Sequence, residues 1–268
     1  MPQTWLHVRT DDVAVVVLAA GAGRRLRPLT SIHPKPLCPV DNVPLIELAL
    51  AEVASCVGEI NPERVAVNAH HLAEQVVAWV DGRAHISLEQ PAALGTAGAV
   101  GRLRSWLDGR AVLIRNTDVW RGGPVPSSFV TDWDGERPRL LVVRDAERAD
   151  FEGGFRFAGL SLLPWELAQA IPAERAGLYE TVWQQAEREG RLDLVESDVA
   201  FIDCGTPADY LRANLAASGG DSVIGADAVV DGELIRSVVW PNGVVRRGER
   251  LVECVRVGAD LTVPAPQQ

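Results

Sequence analysis

The sequence predicts an α/β protein: a doubly wound, mostly parallel sheet followed by a short C-terminal hexapeptide-repeat, left-handed β-helix. Residues 13–20 form a continuous apolar run, which is typical of a strand buried on both faces of a parallel sheet. Segments with strand and helix periodicity then alternate at short intervals. Beyond residue 220, apolar residues recur every six positions and glycines mark the turns.

Each predicted element follows from its local pattern. Residues 44–57 carry apolar side chains at helical spacing, and Pro44 suits the first turn of a helix. The same reasoning predicts strands at 64–68, 84–88, 111–114, 139–143, 154–163 and 199–203, and helices at 72–80, 95–107, 178–189 and 207–216. Residues 122–136 are rich in Gly, Pro, Ser and Asp, which predicts a surface excursion.

The change of pattern near residues 218–220 predicts two domains, residues 1–217 and 218–268. The second domain is long enough for about two coils, and so short a stack needs neighbours to cover its ends. Either the main domain or a partner subunit would serve, so a homo-oligomer stays open. Hexapeptide coils also occur in acyltransferases, but no histidine follows His85 to act as a base. A structural role is therefore favoured.

Composition limits the compartment and the class of partner. The net charge of -10 disfavours nucleic acids and anionic membranes as partners. The four cysteines form no C-x-x-C pair, which favours a reducing cytoplasm. Residues 1–12 have no apolar core and no apolar run approaches 18 residues, so we expect neither a signal peptide nor a membrane span.

The segment after the first predicted strand indicates a polyphosphate site. Gly21 and Gly23 allow a tight turn and close approach to a ligand, and three arginines follow. Lys35 is the only lysine in the chain and lies between two prolines, which favours a specific need for an ammonium over a solvated loop lysine. The chain has no Gly-Lys-Ser/Thr, and Leu26 replaces the third glycine of a dinucleotide fingerprint, so neither of those phosphate loops is present.

The motif AGAGRRLRPLT at residues 20–30, followed by PKPLCPV at residues 34–40, resembles the signature of the sugar-1-phosphate nucleotidyltransferases, or NDP-sugar pyrophosphorylases. The resemblance covers residues 13–216 and implies a Rossmann-like fold, NTP and sugar-1-phosphate substrates, and NDP-sugar and pyrophosphate products. Long-form members carry a Glu-Lys-Pro segment that this chain lacks. The chain is similar to short-form members, such as N-acetylmuramate-1-phosphate uridylyltransferases.

The resemblance implies a role for particular residues. Arg25, Lys35 and Asp118 are the expected catalytic residues, and Asp118 and Asp203 would hold Mg²⁺, which suits hard carboxylate ligands. Thr117 stands where the family usually has Gly in Asn-Gly-Asp. The expected nucleotide contacts are Leu18, Ala20, Gly21, Gly23, Gln90, Gly95 and Thr96. The expected sugar contacts are Gly159 and Glu180.

Several of these positions have an alternative explanation. Either Asp could be a helix N-cap or turn residue, and a solvated helix face explains Glu180 equally well. Asn68, His70 and His71 resemble the Asn-x-His stretch of short-form members, although a loop histidine without a ligand is favoured. Because Gly21, Gln90 and Asp118 each follow a predicted strand, we expect them to meet in one crevice.

The identity of the base stays open at this point. Gln90 lies five residues before Gly95, a spacing that resembles the uracil- and thymine-reading members. Glu89 resembles the Glu of guanine-specific members, so guanylyl transfer to a mannose-, heptose- or cyclitol-type phosphate is the alternative. A non-catalytic, NDP-sugar-binding regulatory paralogue is the alternative from another class, and the intact charged residues disfavour it.

Overall fold

The computed structural model describes residues 10–266. Residues 1–9, which enter the signal-peptide argument, and residues 267–268 lie outside the described part. The described chain divides into two compact units: unit 1 comprises residues 10–21, 49–117 and 123–199, and unit 2 comprises residues 22–48, 118–122 and 200–266. No helix within residues 10–266 has the length and apolarity needed to cross a membrane.

The strands, in chain order, are β1 (Val13–Leu18), β2 (Pro39–Val40), β3 (Val43–Pro44), β4 (Val65–Ala69), β5 (His85–Leu88), β6 (Ala111–Asn116), β7 (Val119–Arg121), β8 (Arg139–Arg144), β9 (Phe155–Leu163), β10 (Asp193–Glu196), β11 (Phe201–Asp203), β12 (Val223–Ile224), β13 (Val229–Val230), β14 (Glu233–Ile235), β15 (Val238–Val239), β16 (Val244–Val245), β17 (Arg250–Val252), β18 (Cys254–Val257) and β19 (Leu261–Pro264). The helices are α1 (Leu45–Val57), α2 (Ala73–Val80), α3 (Gly95–Arg102), α4 (Arg104–Leu107), α5 (Ser128–Thr131), α6 (Trp165–Ala168), α7 (Gln184–Arg188) and α8 (Pro207–Ala217). A π-helical turn, Tyr179–Trp183, leads into α7.

Unit 1 is built on a seven-stranded sheet of order β10-β8-β9-β6-β1-β4-β5. Every pairing is parallel except those of β9 with β6 and β8, which confirms the predicted mostly parallel α/β sheet. Residues 13–17 of β1 are fully buried, as expected of an apolar strand at the centre of such a sheet. Leu18 stands opposite Asn68 on one side and Asn116 on the other, so β1, β4 and β6 end at one edge.

Gly95, Gly98 and Gly101 let helix α3 lie directly against a backbone segment of unit 1. A Cβ at Gly98 would collide with the carbonyl oxygen of Glu174, and one at Gly101 with that of Pro172. The predicted helix over residues 95–107 is two helices, because the chain leaves helical geometry at Leu103. The glycines of α3 therefore allow this helix to pack closely against the neighbouring backbone.

Two expectations in unit 1 need correction. The surface excursion predicted over residues 122–136 is wrong at its centre, because Phe129, Val130 and Trp133 are buried there. The Trp133 indole also donates a hydrogen bond to the carbonyl of Arg137 at 2.8 Å. The helix predicted over residues 178–189 begins as a π-helical turn. Strand β10 of unit 1 and strand β7 of unit 2 were not predicted.

Unit 2 has a core of its own around α8. Tyr210 on α8 is fully buried, accepts a hydrogen bond from the Trp240 indole at 3.0 Å and donates one to the carbonyl of Pro39. The same cluster contains Leu26 and Leu29 from the loop after β1, as well as residues of the C-terminal strands. The boundary that the sequence predicts at residues 217 and 218 thus falls inside this unit.

The C-terminal strands fit a β-helix. Val223, Val238 and Val255 align in successive parallel strands, and β13 with β16 and β14 with β17 form two further parallel pairs. The strand β19 ends the stack in antiparallel pairing with β18. Val229 is 51% exposed, because its neighbour Val230 packs inward and successive strand residues face opposite sides.

Candidate active site

The loop after β1 folds tightly upon itself in unit 2. Gly23 has φ 56°, and a Cβ there would lie 2.7 Å from Cγ2 of Thr30 and 3.2 Å from Cβ of Lys35. The Thr30 hydroxyl donates to the carbonyl of Gly23 at 2.9 Å. Leu26 and Leu29 anchor the loop in the core of unit 2. The glycine is therefore required by both backbone conformation and space.

The Lys35 ammonium contacts two carboxylates. Its Nζ lies 2.9 Å from Oδ2 of Asp118 and 3.7 Å from Oδ1 of Asp203. The Lys35 side chain is 10% exposed, whereas those of Asp118 and Asp203 are 38% and 27% exposed. A buried ammonium is stable only when it is paired, so the two carboxylates account for its burial.

Arg25 completes a group of four charged side chains. Its Nη2 lies 3.8 Å from Oδ2 of Asp203, and its side chain is 71% exposed. A Cβ at Gly205 would lie 2.8 Å from Arg25 Nη2 and 2.9 Å from Asp203 Oδ1, so any larger residue there would shift these two groups. We call Arg25, Lys35, Asp118 and Asp203 the charged cluster.

Pairing of β7 with β11 brings the two carboxylates together. Asp203 stands opposite Val119 in this antiparallel pair, and the amide of Cys204 donates to the carbonyl of Asp118 at 2.8 Å. Asp118 lies in the turn before β7. The alternative that Asp203 caps a helix is wrong, because the cap of α8 is Thr206, whose hydroxyl accepts from the amide of Asp209 at 3.2 Å.

The charged cluster has no net formal charge, since two cations face two carboxylates. Burial raises the pKa of the Cys38 and Cys204 thiols to about 12 against a smaller opposite effect of Lys35, so neither adds a charge at pH 7. Within residues 10–266 no group of three or more His, Cys, Asp or Glu could hold a metal ion. Two carboxylates suit Mg²⁺, which commonly takes its other ligands from phosphates and water.

The carboxyl edge of the unit 1 sheet holds most of the other predicted residues. The Thr117 hydroxyl donates to the carbonyl of Leu18 at 2.7 Å, which ties the end of β6 to the end of β1 and accounts for threonine in place of glycine. Ala20 is buried, whereas Gly21 is exposed. Outside residues 20–22, no described heavy atom lies within 4 Å of the place of a Cβ at Gly21. Space beside Gly21 is therefore open.

The predicted base-binding segment of unit 1 contains both exposed and engaged groups. Gln90 is exposed, and the hydroxyl of Thr96 accepts from the amide of Leu178 at 2.8 Å. A Cβ at Gly95 would lie 2.5 Å from the carbonyl oxygen of Ala176. Glu89 is fully buried, and its two carboxylate oxygens accept from the Asn68 amide and the Leu94 backbone N–H, both at 2.7 Å.

The two predicted sugar contacts also lie in unit 1. Gly159 has φ 81° and lies where the pairing of β8 with β9 shifts register, a local irregularity that glycine permits. Glu180 is exposed on the π-helical turn, and its carboxylate folds back over Gly177. Both residues therefore lie at irregular points of the backbone.

The predicted residues divide between the units. Unit 2 holds Gly23 and the charged cluster, and unit 1 holds the other predicted nucleotide and sugar contacts. Sequence reasoning missed Gly205 and the Asn68–Glu89 contact. The Gly-Thr-Pro sequence at residues 205–207 was a signal for Gly205. For the Asn68–Glu89 contact, the signal was a polar residue at or immediately after the end of each of two predicted strands.

Comparison with known proteins agrees with these features. Residues 14–129 match the family model described as nucleotidyl transferase. Over residues 14–129, this chain is therefore similar to that family. An N-acetylmuramate alpha-1-phosphate uridylyltransferase of Neisseria meningitidis serogroup B is 27% identical over 217 residues, covering 71% of this chain and 92% of the relative.

Two further proteins are similar to part or most of the chain. An N-acetylmuramate alpha-1-phosphate uridylyltransferase of Caulobacter vibrioides is 32% identical over 139 residues, covering 48% of this chain and 56% of the relative. The fold is similar to that of a mannose-1-phosphate geranyltransferase from Thermus thermophilus, with a TM-score of 0.68, 19% identity and coverage of 94% of this chain and 95% of the other.

Proposed function

We propose that the chain transfers a nucleoside monophosphate from an NTP to a sugar-1-phosphate, releasing pyrophosphate and forming an NDP-sugar. The observation that carries this proposal is the contact of the Lys35 ammonium with Asp118 and Asp203 at 2.9 and 3.7 Å. Cations and carboxylates from distant segments meet there, whereas a solvated loop lysine needs no such partners. A reaction between two polyanions requires cations that offset the repulsion between their negative charges.

Positioning and charge offset account for the catalysis. A phosphate oxygen of the sugar-1-phosphate attacks the α-phosphorus in line and pyrophosphate leaves, so the chain need not supply a nucleophile. Lys35 and Arg25 bind phosphate oxygens and offset their charge. Asp118 and Asp203 would hold Mg²⁺, which when bound supplies the positive charge that the neutral charged cluster lacks. Backbone N–H groups of residues 20–23 bind further phosphate oxygens.

The base is a pyrimidine in this proposal. Gln90 is exposed and offers a donor and an acceptor, whereas both carboxylate oxygens of Glu89 are engaged within the protein. Glu89 is therefore a poor reader of guanine. The two relatives are described as uridylyltransferases, which makes UTP the first nucleotide and N-acetylmuramate α-1-phosphate the first sugar phosphate to test. Guanylyl transfer is the alternative arm of the same test.

The remaining assignments follow from the sequence expectations. Gly159 and Glu180 contact the sugar, and Leu18, Gly95 and Thr96 contribute to the nucleotide site. The C-terminal strands form hexapeptide coils of a left-handed β-helix with a structural role, supported by the parallel pairing of successive coils. The four cysteines without a C-x-x-C pair support a cytoplasmic protein. The net charge of -10 supports small molecules as partners in place of nucleic acids or anionic membranes.

Pyrophosphate release across a panel of substrates tests the proposal. The panel pairs UTP, dTTP, CTP, GTP and ATP with N-acetylmuramate, N-acetylglucosamine, glucose, mannose, heptose and cyclitol phosphates in the presence of Mg²⁺, and mass spectrometry identifies each product. We expect pyrophosphate and an NDP-sugar in a pyrimidine arm. A GTP-only product would favour the guanylyl alternative, and nucleotide binding without release in any arm would favour the regulatory paralogue.

A further inference from the structure

A buried chain of hydrogen bonds in unit 1 joins the segment after β1 to the segment after β5. The amide of Ala19 donates to Oδ1 of Asn68 at 2.6 Å, and Nδ2 of Asn68 donates to Oε1 of Glu89 at 2.7 Å. Asn68 is 3% exposed and Glu89 is fully buried. Since Asn68 lies on β4, between β1 and β5 in the sheet, it bridges the two strand ends.

Residue 89 is fixed through its main chain as well as its side chain. Its amide donates to the carbonyl of Ala69 at 2.9 Å, and Nδ1 of His70 lies 2.9 Å from its carbonyl oxygen. Its second carboxylate oxygen accepts from the amide of Leu94 at 2.7 Å, closing a ring over residues 89–94. The exposed Gln90 is the next residue, so its backbone has little freedom at its start.

With Asn at position 68, these hydrogen bonds require a carboxylate at position 89. Two N–H groups, from Asn68 and Leu94, point at two different oxygens of one side chain. A glutamine has only one oxygen and would turn an NH₂ towards one of these donors. A buried carboxylate without such partners would be strongly unfavourable, so the contacts and the charge depend on each other.

We propose that Asn68 and Glu89 are positioning residues for the nucleotide: they do not touch it, and they hold the Leu18–Gly21 segment and the Gln90–Thr96 segment at a fixed separation. The proposal rests on the assignment of those two segments to nucleotide binding. It also gives the Asn-x-His stretch a physical task, since Asn68 and His70 both bind residue 89.

Exchanging the amide at position 68 with the carboxylate at position 89 tests the hydrogen bonds between these two side chains. The double variant keeps the net charge of the wild type. Asn68→Asp alone sets two carboxylates against each other, and Glu89→Gln alone sets two donors against each other. In the double variant the new carboxylate at position 68 can accept from Ala19 and from the new amide at position 89, whose carbonyl oxygen can accept from Leu94. All three hydrogen bonds can therefore re-form, with the side chains at 68 and 89 exchanging the roles of donor and acceptor.

The measurements are KM for UTP and kcat in the presence of Mg²⁺, together with hydrogen exchange at the amides of Ala19 and Leu94. We expect each single variant to raise KM about tenfold to a hundredfold, with kcat changed less than about threefold, and to speed exchange at these amides. The double variant should restore KM to within about threefold and slow the exchange again. Glu74→Gln, at an exposed carboxylate of the same unit, should change neither.

Two results would overturn the proposal. One is a wild-type KM in both single variants when they are folded, because the link would then have no bearing on nucleotide binding. The other is a double variant whose KM stays raised although the exchange at Ala19 and Leu94 is restored. If the single variants do not fold, the double variant alone decides. Wild-type protein that turns over no substrate pair would instead count against the proposed function.

Discussion

At the scale of the residue, Lys35 carries a buried ammonium beside two carboxylates. Its ammonium, on a side chain only 10% exposed, lies within salt-bridge distance of Asp118 and Asp203. Removing either partner of a buried pair leaves a charge without compensation, which costs more than the pair contributes. Asp118 makes the shorter contact with Lys35, at 2.9 Å, and Asp203 the longer one, at 3.7 Å, so neutralising Asp203 removes the more distant partner.

Asp203→Asn tests the proposed metal role. We expect the Mg²⁺ concentration for half-maximal pyrophosphate release to rise at least about tenfold, because loss of even an outer partner of a metal ligand has that effect. Asp260→Asn is the control, since the Asp260 side chain is 86% exposed. An Mg²⁺ titration identical to that of the wild type would remove Asp203 from the metal site.

Gly21 and Gly23 form a matched pair of variants. A Cβ at Gly21 would meet no described atom within 4 Å, so Gly21→Ala should leave the free energy of unfolding within about 0.5 kcal/mol while raising KM for the NTP. Gly23→Ala should lower the free energy of unfolding by about 1–3 kcal/mol, because φ is 56° and Thr30 lies too close. Denaturant unfolding and steady-state kinetics measure both. A normal KM for Gly21→Ala would show that the open space holds no phosphate.

At the scale of elements, the close packing of α3 depends on the glycines along one of its faces. This helix contacts the carbonyl oxygens of the 172–176 segment so closely that any Cβ at Gly98 would collide with Glu174. The same segment is joined to α3 by backbone hydrogen bonds, among them Ala97 to Ala176 at 3.0 Å. The packing explains why a stretch assigned to nucleotide binding is rich in glycine even where it faces the protein.

Gly98→Ala should therefore lower the free energy of unfolding by about 1–3 kcal/mol, the usual range for overpacking. Denaturant unfolding of the variant beside wild type and Gly21→Ala measures the effect. If Gly98→Ala were as stable as the wild type, the close contact of α3 with the 172–176 segment would be incorrect.

Elements differed in how far the sequence predicted them. The buried strand β1 and the loop after it were predictable, because apolar runs and glycine-dependent turns are local signals. Strand β10 was missed because Asp193–Glu196 is short and has an acidic residue at each end. The burial of Trp133 was missed because its neighbours are polar. Glu89 was a candidate base reader, since nothing local shows that Asn68, 21 residues earlier, faces it.

At the scale of the molecule, the core of unit 2 contains residues from both sides of the domain boundary that the sequence predicts at residues 217 and 218. Val238, Trp240 and Val255 of the C-terminal strands share the unit 2 core with Leu26 and Leu29. Such a core depends on contacts between residues about 200 positions apart, which no local pattern reveals. The residues of the charged cluster, by contrast, could be predicted from the sequence, because each of them lies in a recognisable motif.

A chain ending at residue 217 tests this organisation. We expect it to lose cooperative unfolding of unit 2, because deletion exposes the apolar faces of α8 and of the Lys35 loop. Circular dichroism during thermal unfolding and pyrophosphate release measure the loss. An unchanged melting temperature and turnover would contradict the dependence of the unit 2 core on residues 218–266.

In the proposed reaction, the Lys35 ammonium offsets phosphate charge in the transition state. The most direct test is the rate of pyrophosphate release by Lys35→Ala at saturating NTP, sugar phosphate and Mg²⁺, beside wild type and Arg24→Ala, which alters an exposed arginine of the same loop. We predict a fall in turnover of about 10²–10³-fold for Lys35→Ala, with the fold intact by circular dichroism, and a near-normal rate for Arg24→Ala. Wild-type turnover in the Lys35→Ala variant would contradict the claim.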